Sequence, residues 1–83
     1  MNKHLQMNVD LIKGLASVDG NITFNSIGYS DNRVILYGTY WGEEESKAVK
    51  FSIEEEYVEM LEKANSVQDV LEVYDTIGYF KNF

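Results

Sequence analysis

The run Arg33–Trp41 (Arg-Val-Ile-Leu-Tyr-Gly-Thr-Tyr-Trp) constrains the fold of this chain more than any other stretch. β-Branched and aromatic residues dominate it, and these suit the pleated, half-buried surface of a strand. The flanking sequence supplies two partners. Upstream, Ile22 and Phe24 alternate with polar residues, and Ile27 and Tyr29 continue on the opposite parity. That phase change predicts a bulge or bend near Asn25-Ser26. Downstream, Lys47, Val49 and Phe51 alternate with Ala48 and Lys50, which predicts a third strand. Ser30-Asp31-Asn32 and Gly42–Ser46 read as turns, so the three strands pair as an antiparallel meander.

On either side the apolar period becomes that of a helix. Leu5, Val9, Ile12 and Ala16, widened by Leu15, form one face, with Asn8 as the expected N-cap and Asp10 in the first turn. Asp19-Gly20-Asn21 reads as the turn that follows. After the third strand, Ser52-Ile53-Glu54-Glu55 matches a capping box. Ile53, Tyr57, Met60, Leu61 and Ala64 then share one helical face, and Glu55, Glu59 and Glu62 the opposite one. Asn65-Ser66 breaks this helix, and Ser66 caps another with Asp69 at its third position. Val67, Val70, Leu71, Val73, Tyr74 and Ile77 give that helix a broad apolar face, and Gly78 suits the left-handed position that ends it. The aromatic tail Tyr79, Phe80 and Phe83 is expected to fold back on the body. The expected architecture is α+β, one small domain over residues 1–83. Its element order is α-β-β-β-α-α, with helices packed on one face of a three-stranded antiparallel sheet.

A chain of 83 residues with 45% apolar content builds one modest core and leaves little room for a deep cleft. With no cysteine and one histidine, disulfides are excluded and a structural zinc site has too few ligands. No apolar run approaches a membrane span, and Met1–Gln6 lacks the apolar core of a signal peptide, so the expected location is the cytoplasm. His4 sits in an N-terminus expected to fray. There is no cysteine nucleophile, no Gly-rich phosphate loop and no serine with a companion histidine in a readable motif. The chain therefore reads as a non-enzyme without cofactor or metal. Glu43-Glu44-Glu45 offers oxygens that suit calcium or magnesium but lacks the Asp/Asn-Gly spacing of a calcium loop. It reads as a solvated hairpin tip, or as a contact for lysine or arginine of a partner.

Charge is partitioned along the chain. Residues 1–42 balance three basic residues against three acids, whereas residues 43–83 set eleven acids against four lysines, which accounts for the whole net charge of −7. Direct nucleic-acid binding needs a basic footprint that is missing, so the chain favours a basic protein partner. Helix capping and the helix dipole account for part of Glu54-Glu55-Glu56. They do not account for Glu59 and Glu62, which extend the acidic stripe with only Lys63 nearby. Tyr37 and Trp41 share a strand parity, which would bring them together on an open sheet face as interface anchors.

In its order of elements, its length and its acidity, the chain resembles phage-encoded anti-CRISPR proteins that inhibit Cas9. Asp10-Leu11-Ile12-Lys13 is similar to the start of their first helix, and Val49–Ala64 has a comparable acidic, amphipathic character. The uncharged Ala64-Asn65-Ser66 departs from that family, which clusters acids before its last helix. The resemblance implies a DNA mimic: carboxylates occupying the basic groove where the nuclease reads its PAM duplex. The expected contact residues are Glu43, Glu44, Glu45, Glu54, Glu55, Glu56, Glu59 and Glu62, with Tyr37 and Trp41 as aromatic anchors. Two alternatives share the same sequence. One is an immunity or antitoxin protein that caps a basic nuclease toxin. The other is a structural or interaction module, a homodimer through its aromatic sheet face, whose acidity serves solubility. The chain is thus expected as a monomer or a homodimer, in the host cytoplasm if phage-encoded.

Overall fold

A computed structural model describes residues 1–78, so the aromatic tail Tyr79, Phe80 and Phe83 lies outside the described residues. Helix α1 spans Lys3–Gly20. Its apolar stripe already includes Leu5, so its cap lies further upstream than Asn8. The Asn2 side chain accepts the Leu5 N–H at 2.8 Å, and Asn8 sits inside the helix on its buried face. His4 accordingly belongs to the first helical turn, and Asp10-Leu11-Ile12-Lys13 to the middle of α1 rather than its start. Asp19 and Gly20 complete the helix, and only Asn21 turns, at φ 53°.

The expected meander forms: β1 (Ile22–Ser30), β2 (Arg33–Trp41) and β3 (Ser46–Ile53) pair antiparallel in sequence order. The register shifts between Phe24 and Ser26, where the change of parity placed a bulge. Ile22 and Phe24 before the shift and Ile27 after it therefore all face the core. Asp31 and Asn32 join β1 to β2 with φ of 53° and 62°, a two-residue turn whose twist matches the strands.

Strand β3 runs two residues further than its alternation suggested. Ile53 is fully buried opposite Val34, and Ser52 pairs with Ile35, so the ladder holds Ser52 and the expected capping box does not form. Helix α2 (Glu55–Lys63) starts instead from Glu54, whose carbonyl accepts the N–H groups of Tyr57 and Val58. Its buried face is Val58 and Leu61; Tyr57 is half-buried and Met60 exposed. Helix α3 (Val67–Ile77) carries the expected cap. Ser66 Oγ accepts the Asp69 N–H, and the Asp69 carboxylate accepts the Asn65 N–H, both at 3.1 Å. Val70, Val73, Tyr74 and Ile77 are buried, while Val67 is exposed. Gly78 ends α3 at φ 74°.

The three helices enclose one core against one sheet face. Helix α1 lies along β1 and α2 along β2, and α3 packs on both helices. Val34, Leu36, Phe51 and Ile53 meet Val9, Ile12, Val58 and Leu61 at its centre. Phe24 and Phe51 pack edge to face across β2, with ring centroids 6.3 Å apart.

Tyr74 fastens α3 to the end of α1. It is buried, and its hydroxyl donates to Asp19 Oδ2 at 2.7 Å. Burial first, then the bond to Asp19 and the charges of Asp19 and Asp75, push the phenol well above its ordinary value of 10.0. The associated stability is complete below about pH 10 and is lost as pH rises further, because the unfolded phenol ionises while the folded one resists. Wild-type stability in urea should therefore fall above about pH 10 more steeply than that of Tyr74→Phe, which should itself cost about 1 kcal/mol at neutral pH. Parallel alkaline limbs for the two proteins would contradict this.

Candidate functional site

The acids of α2 form a row. Glu55, Glu59 and Glu62 follow at i, i+4 and i+7 and project from one side over about 10 Å of helix. With Asn32 of the β1–β2 turn and Val58 they line a shallow cleft of about 190 Å³. All three are exposed, and none takes part in an ion pair among the described residues. Lys63, the base nearest in sequence, lies one position round the helix from Glu62. It lines a separate groove of about 340 Å³ between α2 and α3, with Met60, Asp69 and Glu72.

The other candidates lie elsewhere. Glu54 is held by Arg33, its Oε2 3.3 Å from Nε, an exposed pair worth little in stability. Glu56 is exposed in the first turn of α2, where the helix dipole favours it. Glu43, Glu44 and Glu45 occupy the β2–β3 loop, which is closed by the Gly42 N–H on the Glu45 carbonyl at 2.9 Å. β3 runs about 25 Å from this tip to Glu54, where α2 begins. One acidic stretch of sequence thus becomes two acidic surfaces at opposite ends of a strand.

Tyr37 and Trp41 share the outer face of the sheet, which no helix among the described residues covers. That face is formed by Thr23, Ser26, Gly28 and Ser30 of β1, Arg33, Ile35, Tyr37, Thr39 and Trp41 of β2, and Ser46, Ala48, Lys50 and Ser52 of β3. Trp41 Nε1 donates to Thr23 Oγ1 at 2.7 Å, and the Tyr37 ring lies beside Gly28, its Cε2 3.6 Å from where a Cβ would stand. Both aromatic rings therefore lean towards β1. The ten candidate residues fall on three surfaces: the hairpin tip, the α2 side and the outer sheet face.

Asn32 was not among the expected site residues. Its turn was legible, but its place beside the α2 row depends on how α2 returns along the sheet. Among the described residues, no three His, Cys, Asp or Glu side chains converge to hold a metal ion, and no helix is long and apolar enough to cross a membrane. The chain matches no protein-family model, no curated protein and no solved structure. The class it defines is that of a small α+β protein with a three-stranded meander, its helices on one face.

Proposed function

We propose that the protein is a non-enzymatic binding protein whose α2 row of carboxylates occupies a basic, nucleic-acid-binding surface of a partner protein. The observation that carries this reading is the row Glu55, Glu59 and Glu62: three exposed, like-charged side chains with no ion pair among the described residues. Like charges at this spacing cost a few tenths of a kcal/mol in the free protein. A partner's lysines and arginines, placed to hold regularly spaced phosphates, relieve that repulsion and steer association. A DNA-reading groove of a CRISPR effector nuclease has that chemistry, and the resemblance to anti-CRISPR inhibitors makes it the first partner to test.

The test is binding to a Cas9–guide complex at two salt concentrations. The Glu55→Lys/Glu59→Lys/Glu62→Lys variant should bind at least tenfold more weakly than the wild type, which corresponds to about 1.4 kcal/mol. The same reversal at Glu43, Glu44 and Glu45 should have a smaller effect. Wild-type binding should weaken as salt rises. Undiminished binding by the α2 variant defeats the reading. Recovery of a basic toxin nuclease from a host lysate, with no affinity for the effector, would move the same surface to an immunity role.

A further inference from the structure

We propose that the groove between α1 and the α2–α3 junction binds a small uncharged molecule, one with an apolar body and a single N–H or O–H donor. The walls give the first reason. Met7 and Leu11 of α1, Ala64 at the end of α2 and Val67 at the start of α3 line the groove, and Met7, Leu11 and Val67 are large apolar side chains left exposed. No Asp, Glu, Lys or Arg among the described residues lines it, in a chain with 14 acids and 7 lysines and arginines. The two clefts beside α2 differ. One holds Glu55, Glu59 and Glu62, the other Lys63, Asp69 and Glu72. A charged ligand in the α1 groove would give up water for apolar walls and meet no fixed counter-charge, so the walls select a neutral one.

The second reason is an acceptor held ready. Asn8 lines the groove although it is almost wholly buried. Its Nδ2 donates to the carbonyls of Leu61 and Ala64. Turning the amide over would set its oxygen against those two carbonyl oxygens, so Oδ1 is fixed on the side away from them. Oδ1 accepts from no group among the described residues. No fully buried side-chain oxygen there lacks a partner, so solvent reaches Oδ1, and the groove is its opening. A ligand that covers the apolar walls displaces that water and must bring a donor of its own, or the oxygen is left unpaired.

Size sets the ligand class and the strength. The groove encloses about 220 Å³. That is below the range of pockets for drug-sized ligands, and suits about ten non-hydrogen atoms. A neutral ligand of that size binds in the millimolar range or somewhat below. The thioether of Met7 favours an aromatic ring as the apolar body. The groove shares no residue with the α2 row, so this site goes beyond the binding role assigned to that row and stands or falls separately.

Titration of the isotopically labelled full chain with indole to about 5 mM, followed by nuclear magnetic resonance, tests this. Indole carries one N–H on two fused apolar rings. The expected result is saturable shifts of the Met7 methyl, the Asn8 side-chain amide, Leu11 and Val67. Benzofuran has the same shape with oxygen in place of the N–H, and should bind at least about fivefold more weakly because Asn8 Oδ1 then loses its donor. Val67→Glu, at an exposed position, should weaken indole binding at least about tenfold with unchanged circular dichroism, since it sets a carboxylate on an apolar wall. The proposal is overturned if no saturable shift appears at these residues, if benzofuran binds as tightly as indole, or if Val67→Glu binds like the wild type. Shifts at the same residues that follow protein concentration with no ligand added would also overturn it and assign the groove to a second copy of this chain.

Discussion

Replacing Asn8 by leucine lowers the stability of this protein by about 2–4 kcal/mol, a large part of the roughly 4–12 kcal/mol expected for a domain of this size. Asn8 is the one buried polar side chain among the described residues, at 4% exposure. Its Nδ2 donates to the carbonyls of Leu61 at 2.8 Å and Ala64 at 3.2 Å. Those carbonyls end α2, where the Leu61 carbonyl also accepts the Ala64 N–H at 3.3 Å and the last turn offers that of Ala64 no N–H further along the helix. A left-handed residue often closes such an end, but Ala64 is extended at φ −69° and ψ 125°. A side chain from α1 closes it instead. Leucine fills much of the same space, brings no donor and keeps water out. Alanine opens the site to the groove between α1 and the α2–α3 junction, which is about 220 Å³, so water can reach the carbonyls. Asn8→Ala should consequently cost less than Asn8→Leu, the reverse of the order for a purely apolar site. Urea denaturation followed by far-ultraviolet circular dichroism measures both. A cost below about 1 kcal/mol for leucine would show that neither carbonyl needs Asn8.

The same residue shows where reading the sequence stops. What local chemistry decides was legible: the β2 run, the parity change that became the bulge, the turn at Asp31-Asn32, the Ser66 cap and the terminal Gly78. Asn8 looked like a cap because asparagine caps helices, yet its partners stand 53 and 56 positions away. Ser52 looked like a cap because Glu55 follows at capping-box spacing. Pairing with Ile35 beside the buried Ile53 outweighs that local preference. The candidate surface was legible in kind but not in layout. Strand parity placed Tyr37 and Trp41 together. Glu43–Glu45 and Glu54–Glu62 were expected to line one contact, and an eight-residue strand stands between the two groups. The helical period separates Lys63 from Glu62 by about 100° of rotation, which is why that base lines another groove rather than screening the α2 row.

Substituting Gly38 by alanine costs about 2–3 kcal/mol, although the change adds one methyl group to a strand where alanine is normally no worse than glycine. Gly38 lies on the core side of β2, opposite Phe24 and Val49. A Cβ there would stand 2.6 Å from the Thr23 carbonyl oxygen, 3.1 Å from Phe24 Cδ1 and 3.2 Å from Ile22 Cγ2. The first of these is backbone and cannot rotate away. Thr23 is held by its pairing with Thr39, and its hydroxyl is held by the Trp41 indole. Nor is Phe24 free to withdraw, because its ring packs against Phe51. β1 must therefore move away from β2 at the bulge, loosening the ladder and the Phe24–Phe51 contact together. Gly14 supplies the opposing case within the same chain. It lies in the exposed middle of α1, and a Cβ there meets nothing within 4 Å. Gly14→Ala should stabilise by about 0.5–1 kcal/mol, since alanine loses less backbone entropy and has the better helix propensity. Opposite shifts of the urea midpoint at equal m-values would assign the cost at Gly38 to crowding. If Gly38→Ala shifted the midpoint upward as Gly14→Ala does, β1 would have to give way freely, and the close approach at Gly38 would not constrain the sheet.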